Sequence, residues 1–453
     1  MTSSNRNRSG YGRGIGLLGA TAIGIGGMVG GGIFAVLGVA SVQAGPSTPV
    51  AFAVAGLVAA VTAVSYARLS VRFRSAGGTV TFIDRVFGIG TVTGSLNIVL
   101  WLGYIVTTAL YASAFGSYSA TLLPGGTHPD PLLLRALIGL GIAVPWIINL
   151  ANAGLIARSE SIIVGIKLSI LVVVIVAGIP AVSPAHFHSA TSPSTFSTLG
   201  AGMLIFVAYE GFELIANAGA DARRLRVTLP WAFALSVGLV IVLYVVIAVV
   251  VIGSLSPAQI SASADFALAR AAQSSLGGFG FVLVAVAAVL ATLSAINATL
   301  YGTARLSFTI ATEGELPRRL EARTWNQPIG LHITALAGLV LAVALPVESI
   351  SAVASAIFLA IFAVVNAAAC KEARQVLWIR LIGAAGAIGC VASLVIVVVH
   401  SVGDDPTSMI VLAGLLAVAL IIEHGYLKRH RPHPIDTRGS HKGGKTATGR
   451  SVP

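Results

Sequence analysis

Gly24-Ile25-Gly26-Gly27-Met28-Val29-Gly30-Gly31-Gly32-Ile33-Phe34 lies inside the first long apolar stretch of the chain. Each glycine weakens a helix by about 1 kcal/mol relative to alanine, so the run predicts an interruption. In a bilayer, unwound backbone survives only where protein buries it or where it lines a cavity, because hydrocarbon satisfies no bared peptide group. The interruption therefore marks a candidate ligand site, its amides suited to a carboxylate and its carbonyls to an ammonium. Close helix contact through small residues is the other use of such a run.

The composition puts lipid around this stretch. Of 453 residues, 56% are hydrophobic and only 10% charged, too few polar groups to cover the core of a soluble domain of this size. Apolar runs of about 20 residues, each able to cross a hydrocarbon layer of roughly 30 Å as a helix, recur throughout. The expected spans are 15–40, 47–68, 90–122, 132–152, 158–180, 196–220, 230–253, 277–304, 330–346, 349–370, 378–400 and 408–424. Period-2 alternation is missing, which excludes a β-barrel. The expectation is an all-α, polytopic membrane protein with twelve transmembrane helices.

The formal charge of +12 does not point to a nucleic-acid partner, because the basic residues are dispersed over several short loops. Threaded from a cytoplasmic N-terminus, one side receives Arg6, Arg8, Arg13, Arg68, Arg72, Arg74, Arg85, Arg158, Arg223, Arg224, Arg226, Arg305, Arg318, Arg319, Arg323, Lys371, Arg374, Arg380 and the basic tail. The other receives Arg135 and Arg270. That split predicts a multi-pass protein of the cell membrane with both termini cytoplasmic. Residues 1–14 and 426–453 read as disordered basic tails on either side of a transporter domain at 15–425, the second tail suited to anionic head groups. Connections are short except 254–276, where Pro257 and the stretch from Ala264 to Ala272 suggest a small external helix. Cys370 and Cys390 read as packing residues, and His186 and His188 as solvated loop residues. No cofactor, metal site or catalytic constellation is implied, so the chain does not read as an enzyme.

The sixth span carries Phe206-Val207-Ala208-Tyr209-Glu210-Gly211-Phe212-Glu213, two carboxyl groups flanking a glycine inside an apolar stretch. Charges at that depth are costly and usually functional. Interrupted spans at positions one and six match a five-plus-five inverted-repeat transporter. Lys167 lies nine residues past Arg158, about 13 Å along a helix and near mid-membrane. A group there that switches charge is a natural coupling element, whereas a shallower span would put its head in water. Glu213 and Glu210 are further proton-handling candidates; the alternative is a pair facing an aqueous vestibule or bound to arginine.

These residues resemble the amino acid, polyamine and organocation superfamily, and within it the proton-coupled, broad-specificity amino-acid transporters of the ApcT type, over nearly all of residues 15–425. Gly30 to Phe34 resembles the family's Gly-x-Gly-Ile-Phe break, and Phe206 to Glu213 its aromatic-Tyr-x-Gly-Phe-acid break. Ser294-Ala295-Ile296-Asn297-Ala298-Thr299, with Glu313-Gly314-Glu315-Leu316-Pro317, is similar to the Asn-Ala and acid-Gly-x-Leu-Pro signature. Lys167 matches the fifth-span lysine of proton-coupled relatives. The resemblance implies a LeuT-like fold: inverted repeats at about 15–180 and 196–370, broken helices one and six, and two additional helices at 378–424. It implies that amides of Gly30, Gly31 and Gly32 hold a substrate carboxylate and that carbonyls of Met28, Val207 and Glu210 hold its amino group. Gly211 would open the break, Tyr209 would help close the external side, and Ser294 would lie near Lys167. Where relatives carry Glu-Glu and Asn-Pro after the sixth span, this chain has Ala220-Asp221-Ala222-Arg223-Arg224-Leu225. Glu210 replaces a residue that is often apolar, leaving room for a cationic side chain.

The function so implied is import of amino acids with protons by alternating access. An amino acid or amine exchanger on the same fold, and more remotely a non-transporting membrane sensor, are the other readings. A channel would need a continuous polar stripe, and no span carries one. Tyr104, Phe206 and Phe212 are candidates to line the pocket.

Overall fold

The computed structural model describes residues 14–75, 77–151, 156–187, 193–312, 322–325, 327–373 and 375–424. Arg6, Arg8, Arg13, His188, the signature Glu313 to Pro317, Arg318, Arg319, Arg374 and the C-terminal tail lie outside them.

The first apolar segment forms α1 (Leu17–Met28) and α2 (Gly32–Ala44), parted at Val29, Gly30 and Gly31. Then follow α3 (Thr48–Arg72), α4 (Gly78–Phe87), α5 (Thr91–Thr121), α6 (Pro131–Ala151) and α7 (Ile156–Gly178). The sixth segment splits into α8 (Thr195–Leu204), a 3-10 turn (Phe206–Tyr209) and α9 (Leu214–Asn217). The chain continues through α10 (Leu225–Ser254), α11 (Pro257–Ala262), α12 (Ala267–Thr312), α13 (Ile329–Ala344), α14 (Val347–Glu372), α15 (Leu377–Asp404) and α16 (Pro406–Ile422). A two-residue ribbon, Arg323–Thr324 against Gln327–Pro328, is the one pair of strands among the described residues.

Among the described residues eight stretches are long and apolar enough to cross a bilayer, and the bent pair Thr195–Leu204 with Phe206–Ala220, 46° apart, makes a ninth. Leu17–Met28, Ile329–Ala344 and Pro406–Ile422 are shorter and equally apolar. The outer surface agrees: Phe279 and Ile410 are each 72% exposed, a poor arrangement in water and a natural one against acyl chains. The protein is thus an all-α, polytopic membrane protein.

One connection differs from the sequence-based expectation. The segment between α3 and α5 is no simple loop but holds α4, with Val80, Phe82, Ile83 and Val86 buried and Arg85 and Phe87 exposed. A ten-residue amphipathic helix of this kind is too short and too polar on one face to register as a span. The eighth span begins where expected: Gly277, with φ 64° and ψ −155°, parts a short helix that starts at Ala267 from the long helix that follows it, a backbone conformation that suits glycine. The external helix expected in 254–276 is α11, started by a capping box between Ser256 and Gln259.

Inside the bundle, α5 packs against α6, α12, α13 and α14, and α3 against α10 and α15. Tyr66 meets Phe82, Phe212 and Phe362 edge-on at ring separations of 5.9, 5.5 and 5.5 Å, stabilising contacts beyond simple burial. Asn366 ties three helices by donating to Thr62 Oγ1 at 2.9 Å and accepting from Ser65 at 2.6 Å, beside Cys390. On the side of the breaks opposite Arg72, a Cβ at Gly38 would overlap the Ala264 carbonyl, so α2 lies directly on the turn before α12. Gly38→Val should therefore cost about 1 to 3 kcal/mol through overpacking. A clearly lowered melting temperature for the purified variant, with Gly389→Ala unaffected because its Cβ meets nothing, is the expected result.

Candidate functional site

At the end of α1 the last carbonyls have no helical partner, and other elements supply donors. Lys167 Nζ, on α7 and 3% exposed, donates to Gly26 O at 3.3 Å. A cation there also meets the negative end of the helix dipole. Tyr244 Oη donates to Met28 O at 2.7 Å and to Ala208 O at 3.3 Å, bridging both breaks from α10.

The second break is satisfied from α14. Ser351 and Ser355 each donate to Leu204 O at 2.7 Å, and the Val207 amide donates to Ser355 Oγ at 2.9 Å. The turn closes through Glu210 N to Val207 O at 3.0 Å. Glu210 is extended, and Gly211 follows with φ 113°. Its amide donates to Glu213 Oε2 at 2.8 Å. A Cβ on Gly211 would stand 2.7 Å from Gly27 Cα, so the two breaks touch backbone to backbone.

Beside that contact opens a cavity of ≈ 730 Å³, counting its open mouth. Gly26, Gly27, Glu210, Gly211 and Glu213 form one wall, and Tyr104 and Tyr111 of α5 with Ala295, Thr299 and Thr303 of α12 form others. Gly77, Thr79, Asn217 and Leu306 continue it toward the end of the bundle that carries Arg72. Tyr111 Oη donates to Glu210 Oε2 at 3.2 Å and Tyr104 Oη to Glu213 Oε1 at 3.0 Å, and the two carboxyl groups also meet each other. Glu210 is 4% and Glu213 2% exposed. A mostly apolar pocket with a few convergent polar groups is the expected form of a small-molecule site.

Of the residues singled out in the sequence, Glu210, Gly211, Glu213 and Tyr104 line the cavity. Gly30, Gly31 and Gly32 lie behind the lining, packed on Ala295, the Tyr111 ring and the Ala208 backbone. Met28 and Val207 carbonyls accept the bonds given above. Tyr209 donates to Phe52 O at 2.8 Å, away from the cavity lining. Phe206 and Phe212 stack on Phe362 at 5.9 and 5.2 Å and belong to the core. Ser294 is half-buried, one residue before the lining residue Ala295. Asn297 accepts from Asn149 at 2.8 Å, which makes this part of the signature a clamp between α6 and α12. Thr299 was quoted only as the last residue of the eighth-span signature, and Tyr111, Thr303 and Asn217 were not singled out; Tyr104 and Tyr111, seven apart on one helix face, were the available signal. His186 hydrogen-bonds Gly253 O at 2.8 Å, and no group of His, Cys, Asp and Glu suited to a metal occurs among the described residues.

A family model described as amino acid permease matches residues 15–422. The inner membrane transport protein YbaT of Escherichia coli is 36% identical over 349 residues, 76% of this chain and 80% of that protein. The methylthioribose transporter of Bacillus subtilis is 24% identical over 66% of this chain and 67% of its own length. The branched-chain amino acid permease BcaP of Lactococcus lactis is 26% identical over 66% of this chain and 68% of its own. The family and these relatives are transporters, not enzymes.

The contact between the breaks gives a direct test. Gly211→Ala combines a positive φ with overlap on Gly27, and should destabilise the purified protein by about 1 to 3 kcal/mol. Gly302→Ala, in the same cavity but with open space for its Cβ, should leave the melting temperature in place.

Proposed function

The chain belongs to the amino acid permease family of the amino acid, polyamine and organocation superfamily, and we propose that it imports amino acids across the cell membrane with protons by alternating access. The observation that carries this reading is the cavity at the touching point of two broken spans, walled by Gly26, Gly27, Glu210, Gly211 and Glu213.

Two features support twelve crossings with a five-plus-five inverted repeat. The elements from α1 to α7 and from α8 to α14 run in the same order: a broken segment, a long helix, a short lateral helix (α4 or α11), a long helix and two more. The last two helices, α15 and α16, stand outside that pattern. In this reading the repeats are about 15–180 and 196–370, and the Arg-rich end with both tails faces the cytoplasm.

The cavity extends toward that end alone, while Gly38 on Ala264 and Phe34 on Tyr118 pack the other. The conformation then corresponds to the state that delivers cargo inward. A substrate ammonium would be met by the Glu210 and Glu213 carboxyls and the carbonyl ends of the breaks. The glycine amides from Gly30 to Gly32 would take the carboxylate once the bundle rocks and the Tyr111 ring, which now covers Gly31, moves aside. Ser294 would serve the Lys167 side of the site, with Tyr209 on the external side. Lys167 binds Gly26 O, so a change in its charge acts on the break itself. The membrane potential adds about 2.3 kcal/mol per charge per 100 mV to inward movement of a cation.

The paired carboxyls favour a second reading, exchange of a cationic amino acid or amine on the same fold. Proteoliposome uptake separates the two. Import should rise under an inward proton gradient without internal substrate, and Lys167→Ala should abolish that rise. Uptake that demands internal substrate and ignores both the gradient and Lys167→Ala would establish exchange instead.

A further inference from the structure

At the end of the bundle that carries Arg72, α14 and α15 leave a cleft between them that shares no lining residue with the carboxyl cavity. It measures ≈ 1120 Å³ with its open side included. Arg72 Nε meets Glu372 at 3.4 Å, which fixes the level of the adjacent Lys371. From α14 the cleft receives Ala367, Cys370 and Lys371. From α15 it receives Arg380, Ala384, Ala387 and Ile388. Those α15 positions fall at i, i+4, i+7 and i+8 and so form one stripe about 12 Å deep.

The charge is at the outer end of that stripe and the small apolar residues at the inner end. Lys371 donates one hydrogen to Val86 O at 2.9 Å and rests over the Phe87 ring at 5.0 Å. This contact holds its ammonium in place while two N–H groups remain for another partner. Arg380 is exposed. Among the described residues no carboxylate lines the cleft, and neighbouring Glu372 is engaged by Arg72. Leu377, Trp378 and Leu381, 69%, 59% and 59% exposed, flank it, with the tryptophan at the level that aromatic side chains take at a membrane surface.

We propose that this cleft binds an anionic phospholipid, its phosphate between Lys371 and Arg380 and an acyl chain along Ala384, Ala387 and Ile388. One held and one exposed cation above an alanine-floored groove match the charge and the amphipathic profile of such a lipid. A zwitterionic lipid carries its own cation and gains less from the pair, and free phosphate has nothing to place in the groove.

Native mass spectrometry of the full-length protein, loaded with equal amounts of phosphatidylglycerol and phosphatidylcholine, tests this. The protein should retain phosphatidylglycerol in at least about fivefold preference, the scale of one membrane-surface cation. Arg380→Ala should reduce the preference about fivefold and Arg380→Glu remove it, whereas Arg380→Lys and the distant Arg135→Glu should keep it. Melting temperatures of all variants in phosphatidylcholine should match the parent, so that a lost preference is not a lost fold. Excess inorganic phosphate should leave retention unchanged. Equal retention by Arg380→Glu and the parent, no preference in the parent, or displacement of the lipid by inorganic phosphate would each overturn the proposal.

Discussion

In hydrocarbon a peptide group that leaves a helix must find a partner within the protein, and the two breaks are where this chain meets that demand. Gly26 O receives Lys167, Met28 O and Ala208 O receive Tyr244, Leu204 O receives Ser351 and Ser355, and the Gly211 amide finds Glu213. The residues that make the site chemically interesting are thus the ones that make it structurally possible. Each such bond stabilises the unwound form by replacing an unsatisfied buried group, a cost of several kcal/mol in an apolar medium. Moving any one of these side chains loosens a break, so chemistry at Lys167 or Glu213 and helix geometry are coupled without an intermediary.

The fold was legible in the sequence because lipid writes it in plain terms. Each of the twelve apolar segments coincides with a helix or a parted pair, and both breaks fall within the glycine-bearing stretches. What escaped was short or indirect. The amphipathic α4 has too little apolar length to stand out, whereas Gly277 and Gly278 were legible as a helix boundary and Gly277 does break the helix. In the site, Glu210, Glu213 and Lys167 were visible as charges out of place. Tyr111 and Thr303 were not, because hydroxyl side chains are unremarkable on apolar helices, where they often bond their own backbone, as Thr303 does to Thr299 O at 2.5 Å. Phe206 and Phe212 show the converse: aromatic residues beside a break belong to the core when a partner such as Phe362 faces them.

The segment from Ala220 to Leu225 after the sixth span is held through its backbone. Ile15 N donates to Asp221 O and Arg223 N to Ile15 O, both at 2.9 Å, and Arg74 Nη2 donates to Ala220 O at 3.1 Å. Arg224 adopts φ 48°, turning the chain into α10. The groups that this chain uses to hold its beginning against the end of the sixth segment are amides and carbonyls, which every residue but proline provides. Side chains there are therefore free to vary while the pairing persists. One half of each broken segment is thus joined to the other at this bridge and again where Gly27 meets Gly211, a bare backbone contact that leaves no room for a side chain between them.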